Sequence, residues 1–278
     1  MKTKRLFNYK NMENLPEKAR EVRKLALQMI YESGVGHPAG SLSSADILTY
    51  LYSVELRKKS DDPSWEDRDR FVLSAGHLCP ALYSILSIEG YFPKEELNTH
   101  AKLGTRLQGH PERVMLPGIE TSSGSLGMGL GQASGIALAG KMDGKDYRVY
   151  CLCSDGEHNE GSHWEAVMFA AKKHLSNLVL VIDRNKIQID GTTEEVNPLG
   201  ELALKYKEFG WNTLEIDGHN FEEMEKAFVE AKEEKHKPTV IVADTIAGRG
   251  VSFMNNPLWH AKVPTKEEYD SAMEELNA

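Results

Sequence analysis

Two short segments carry the residue types that hold a cation and its anion. The first, Ser154-Asp155-Gly156-Glu157-His158-Asn159-Glu160-Gly161, follows the apolar run Arg148–Cys153. A strand covered on both faces reads as such a run. Asp155 therefore falls at a carboxyl strand end, where open α/β sheets gather ligands. Gly156 lets the backbone approach an anion, and the helix predicted to open near Ser162 offers its positive end to the same place. A second run, Leu178–Asp183, leads into Arg184-Asn185-Lys186-Ile187. A carboxylate and an amide oxygen at neighbouring strand ends suit a hard cation such as Mg²⁺, which adds phosphate oxygens to few protein ligands. Either segment alone reads as a polar turn; the pair on consecutive strands points to a cation site.

Four of the ten histidines follow a glycine, and three of them, in Gly36-His37-Pro38, Ser74-Ala75-Gly76-His77 and Gly109-His110-Pro111-Glu112, are the site candidates. A glycine turn can bring an imidazole against a ligand, and its near-neutral pKa suits proton movement. His260 follows Trp259, downstream of Thr245–Gly250. His219 is assigned to the turn after a strand over 212–216. His100, His158, His163, His174 and His236 are given no site role. Glu160 is an acid near a helix N-terminus, a favourable place for negative charge.

Alternating helix and strand signals must position these groups. Apolar residues Val22, Leu25, Ala26, Met29 and Ile30 have the spacing of an amphipathic helix, so a helix is predicted from Pro16 to Ser33, closed by Gly34. A second is predicted from Ser44 to Val54 with Ser43 or Ser44 as N-cap. Phe71–Leu73 reads as a strand and Pro80–Glu89 as a helix. Residues 104–125 form a long irregular connection, of the kind that is often functional. Gly124-Ser125-Leu126-Gly127 reads as the start of a glycine-dense helix, with Gly129, Gly131 and Gly135 expected in close packing. Strand–helix units then follow: 148–153 with 162–174, 178–183 with 201–209, 212–216 with 221–235, and 239–244. The fold class is α/β, a mostly parallel sheet with helices on both faces and a helical N-terminal extension. Residues 1–278 read as one domain.

Composition narrows the class. The 278 residues are 40% hydrophobic and 27% charged, which excludes disorder. The net charge of −9 argues against nonspecific nucleic-acid binding. No run reaches the roughly 18 apolar residues of a membrane span, and the basic, polar start has no signal-peptide core. Cys79, Cys151 and Cys153 cannot pair completely, and Cys151 and Cys153 would share one strand face. Buried thiols in a reducing cytoplasm are expected.

Residues 154–191 resemble the thiamine-diphosphate fingerprint, an acidic Gly-Asp-Gly segment followed by an Asn, with Ser154 in place of the first glycine. The histidine segments above, Glu120–Gly127, Asp190-Gly191 and Thr245–Gly250 add to this. As a set they resemble the N-terminal, diphosphate-binding half of transketolase, over about residues 16–264. The resemblance implies thiamine diphosphate with Mg²⁺, or Ca²⁺ or Mn²⁺ in its place. It implies Asp155, Asn185 and the Ile187 carbonyl as metal ligands. Cofactor contacts would come from His77, Gly124, Ser125, Leu126, Asp155, Gly156, Glu160, Asn185, Ile187 and His260. His37, His110 and His260 would serve the sugar as catalytic groups, and Glu160 would face a subunit interface.

The implied activity is transfer of a two-carbon ketol unit from a ketose phosphate to an aldose phosphate, as in the pentose phosphate pathway. A transketolase also needs a pyrimidine-binding domain with an activating glutamate, and a C-terminal domain. Only one helix, Lys266–Leu276, is predicted after His260. Both domains are therefore expected on a C-terminal partner subunit, in an α₂β₂ assembly. Two alternatives are a split enzyme for a sulfosugar or branched sugar, and a non-catalytic cofactor-binding subunit. Intact pocket histidines argue against the second.

Overall fold

The computed structural model describes residues 12–278; the basic start, residues 1–11, lies outside them. In chain order its strands are β1 (Arg70–Leu73), β2 (Val149–Ser154), β3 (Leu178–Arg184), the short hairpin β4 (Ile187–Gln188) and β5 (Gly191–Thr192), β6 (Asn212–Asp217) and β7 (Thr239–Asp244). Five of them make a parallel sheet ordered β1-β2-β3-β7-β6. The two most continuously apolar strands, β2 and β3, are buried along nearly their whole length and pair in the middle region, Ser154 opposite Asp183. This is what a sheet covered on both faces requires.

Strand alternation feeds two cores. Tyr150, Leu152, Val179, Val181 and Ile241 pack on one side against α1 (Leu15–Ser33), α3 (Ala45–Tyr50), α4 (Cys79–Ile88) and α9 (Phe221–Glu233). Cys151, Cys153, Leu180, Ile182 and Val242 pack on the other against α5 (Gly129–Met142) and α6 (Gly161–Lys172). Cys151 and Cys153 do share a face, and all three cysteines are buried thiols.

A third apolar cluster joins Ala39 and Leu42 of α2 (Pro38–Ser43) to Ile187, Trp259 and Leu276. Leu276 lies on the last helix, Lys266–Asn277. This cluster sets three site segments against one another: the helix that follows His37, the turn after β3, and the segment ending at His260.

The helix expected over Ser44–Val54 is α3, with Ser44 at its N-cap position, and it runs on into a π-turn, Leu51–Glu55; a separate short helix, α2, precedes it from Pro38. Proline at a first helical position starts α2, which the sequence reading did not include. Neither serine is a side-chain cap: Ser44 Oγ donates to the Gly40 carbonyl and Ser43 Oγ to Asp183. The glycine-dense helix opens at Gly129, so residues 124–127 form a turn ahead of it. Gly127 takes φ +77°, and a Cβ there would lie 2.5 Å from Glu160 Cβ, so only glycine fits. Gly129 is packed against Ser74 as expected, whereas Gly135 faces open space.

Candidate active site

Asp155 follows β2 and Asn185 follows β3, so the two groups expected at adjacent strand ends are there. Asp155 is 1% exposed. Its Oδ1 accepts from the Gly156 N–H at 2.9 Å and its Oδ2 from the Lys186 N–H at 2.7 Å. The second bond needs the chain to reverse at Lys186, which takes φ +66°, an uncommon conformation for a non-glycine residue. Asn185 Oδ1 accepts from the Ile187 N–H at 3.2 Å. Each of these oxygens keeps a further lone pair.

No cation neutralises Asp155 among the described residues. Arg184 and Lys186 face Asp244 instead, at 3.9 and 3.3 Å. Burial, with Asp183 nearby, pushes the Asp155 carboxyl up to about 7 despite its backbone donors. Among the described residues no three His, Cys, Asp or Glu side chains converge on a metal position. The available donors are one carboxylate, one amide oxygen and a backbone carbonyl, all oxygen, as a hard cation prefers.

His37 lies at the start of α2, His77 in the single turn Gly76–Leu78 after β1, and His260 at the end of the turn Pro257–His260. Their ring centroids are 4.9 Å (His37–His77), 5.3 Å (His37–His260) and 5.5 Å (His77–His260) apart. Burial, then the proximity of His260 and His110, lowers His37 to about 4. Burial drives His77 well below the usual histidine range and lowers His110 and His260. These imidazoles are therefore neutral at pH 7, able to accept at one nitrogen and donate at the other. His110 is the exposed member, standing over Gly124, whose Cβ position is 3.9 Å from the ring.

A cofactor of the expected kind fits this surrounding. Ser123 Oγ is buried with no hydrogen-bond partner. It lies 2.8 Å from where a Cβ on Gly76 would sit, beside the Gly124 N–H. Gly124 and Ser125 are exposed and Leu126 half-buried, so this stretch is accessible, with Gly124 beside His110. Gly156 is half-buried. Glu160 takes the N-cap position of α6 without a side-chain capping bond and is exposed.

Several buried polar residues around the site were not singled out by the sequence. Asp183 accepts from Ser43 Oγ at 2.6 Å and Thr245 Oγ1 at 2.5 Å, joining β3 to α2 and the end of β7. Glu157, fully buried, accepts from Ser74 Oγ at 2.5 Å and from the N–H groups of Gly127 and Ser154, both at 2.9 Å. It thereby fastens the 124–127 turn to the ends of β1 and β2. The signal for Asp183 was present: a carboxylate inside an otherwise apolar run needs buried partners. His219 lies in the turn after β6, as expected, and is held there by Asp46 at 2.6 Å and by the Ile246 N–H at 2.9 Å.

The family model of the transketolase thiamine diphosphate binding domain matches residues 16–274. A 6-deoxy-6-sulfo-D-fructose transketolase subunit, SqwG, of a Clostridium species is 43% identical over 264 residues, covering 95% of this chain and 96% of that protein. A subunit of the apulose-4-phosphate transketolase of Phocaeicola vulgatus is 40% identical over 267 residues, covering 96% of this chain and 95% of that protein. Human transketolase is 37% identical over 95% of this chain, which spans 42% of that protein. The Campylobacter jejuni transketolase structure superposes with a TM-score of 0.90 at 33% identity, covering 95% of this chain and 43% of that one.

Proposed function

Because the chain belongs to the transketolase family through its thiamine diphosphate binding domain, we propose that it is the diphosphate-side subunit of a two-chain transketolase. The observation that carries this reading is the placement of Asp155 and Asn185 at adjacent strand ends beside the His37, His77 and His260 cluster. Residues 1–278 form a single domain in this reading. The pyrimidine-binding domain, its activating glutamate and most substrate-phosphate contacts come from a C-terminal partner subunit in a cytoplasmic α₂β₂ assembly. Near-complete mutual coverage with two proteins named as subunits supports a partner.

Asp155, Asn185 and the Ile187 carbonyl hold Mg²⁺, with Ca²⁺ or Mn²⁺ able to replace it. The uncompensated charge of buried Asp155 supports a cation at this place. When bound, thiamine diphosphate supplies the electron sink for cleaving the bond next to a ketose carbonyl. His77, Gly156 and the backbone of Gly124, Ser125 and Leu126 bind its diphosphate side. His37 and His110 take and return protons at the sugar hydroxyls, and His260 borders both diphosphate and sugar. Glu160, exposed at the mouth of α6, faces the subunit interface.

The reaction is ketol transfer between a ketose phosphate and an aldose phosphate. A second reading, a sulfosugar or branched-sugar donor, is favoured by the names of the two subunit-length relatives. Mixed subunits assayed with ketose phosphate, 6-deoxy-6-sulfofructose and apulose 4-phosphate donors discriminate these. Transfer from none of them would overturn ketol transfer.

A further inference from the structure

We infer that Asp183 is a positioning residue that fixes which face of the Asn185 amide is presented to the cation. The inference rests on the metal assignment made above and deepens it.

Asp183 is fully buried at the end of β3, two residues before Asn185. Ser43 and Thr245 hydroxyls donate to its two oxygens. Asn185 Nδ2 lies 3.2 Å from Asp183 Oδ2 and 3.2 Å from Ser43 Oγ. Ser43 gives its single proton to Asp183, the closer acceptor at 2.6 Å, and so accepts from Asn185. On its other side, Asn185 Oδ1 accepts from the Ile187 N–H.

Amide nitrogen and oxygen are told apart by their partners. Reversing the Asn185 amide would set its oxygen against the Asp183 carboxylate oxygen and its NH₂ against the Ile187 N–H. Three hydrogen bonds would be lost: the two to Asp183 and Ser43 would become contacts between acceptors, since Ser43 has already given its proton to Asp183, and the one from Ile187 a contact between donors. Only one orientation is satisfied, with Nδ2 toward Asp183 and Oδ1 away from it, beside the turn that holds Asp155. Residues that orient a metal ligand in this way typically change metal affinity by roughly 10–100-fold when altered.

Asp183 also reaches beyond the cation. Its bond to Ser43 pins α2, which begins next to His37, to the same strand end. The backbone at Gly40 comes close as well, its Cβ position 4.0 Å from Asn185 Nδ2. One buried carboxylate thus couples the cation ligand to the helix that carries a sugar-facing histidine.

Asp183→Asn keeps the volume but offers an amide where an acceptor is required. Calorimetric titration of the full chain with Mg²⁺ and thiamine diphosphate should show affinity for Mg²⁺ lowered at least about tenfold. Ser43→Ala, which leaves the carboxylate facing Asn185, should lose clearly less. Equal affinity in Asp183→Asn and the parent, or equal losses in both variants, would overturn the inference.

A second measurement needs no variant of Asp183 to fold. In the metal-free parent, the Asn185 side-chain NH₂ signals, assigned by their loss in Asn185→Asp, should show nuclear Overhauser contacts to Ser43 Hβ. Contacts instead to the Ile187 amide would overturn the orientation. The stated orientation in a parent that binds no Mg²⁺ would uphold the Asp183 role in orienting the amide and refute the metal assignment on its own.

Discussion

The Lys186 N–H donates to Asp155 Oδ2 at 2.7 Å, so the residue after Asn185 fastens the end of β3 to the end of β2. The same carboxylate accepts the Gly156 N–H. Asp155 is therefore both the expected cation ligand and a tie between the two strand ends. Asp155→Ala should abolish Mg²⁺-dependent binding of thiamine diphosphate in calorimetric titration. Unchanged affinity would remove the metal assignment.

The histidines separate binding from turnover. His37 and His110 are assigned to the sugar, so His37→Ala and His110→Ala should retain the cofactor and lose about 10²–10³ in rate, the usual scale for one donor to developing charge. Cofactor affinity and transfer rate measured on the same preparations check this. Parental rates in both variants would contradict the assignment.

Glu157 is the clamp on the 124–127 turn. Glu157→Gln sets an NH₂ against a buried donor, either Ser154 N–H or the Ser74 and Gly127 pair. The cost is about 1–3 kcal/mol of stability. Denaturant unfolding should register it, and cofactor affinity should fall with it, since the turn's backbone is proposed to contact the diphosphate side. Stability equal to the parent's would show that Glu157 does not hold the turn.

Acid should unfold the cofactor-free chain through its buried histidines. Burial lowers His100 to about 4 from 6.5, and His37 likewise. A lowered histidine pKa means the unfolded chain binds more protons between those values. The stability contribution is therefore fully present above pH 6.5 and lost as pH falls toward 4. For His100, which is 1% exposed, the loss is about 3 kcal/mol. Unfolding free energies between pH 7 and 4 should fall less steeply in His100→Gln than in the parent. Identical slopes would exclude this group as a cause.

The strands were legible because each buried strand is one unbroken apolar run. The placement of Asp155 and Asn185 at adjacent strand ends was legible because each stands where such a run stops. That His37, His77 and His260 come together, with His110 beside Gly124, could be expected only through the family resemblance, since each segment is too short to place itself. A need for buried partners at Asp183 was legible, but their identity was not, because the partnership joins residues 43, 183 and 245 across three elements. Local spacing carries no trace of such a contact. Of the two cap candidates, Ser44 takes the N-cap position, whereas Ser43 turns to Asp183, a partner that nothing near it in the sequence announces.

Under the proposed function, this chain works only with a second chain supplying the pyrimidine side. The most direct measurement is ketol transfer by the purified chain, alone and after mixing with a polypeptide that matches the remainder of the whole transketolases. Donors would include xylulose 5-phosphate and 6-deoxy-6-sulfofructose, with an aldose phosphate acceptor, thiamine diphosphate and Mg²⁺. No transfer by the chain alone, and transfer on mixing, is the expected result. Sustained transfer by the chain alone, freed of contaminating transketolase, would contradict it.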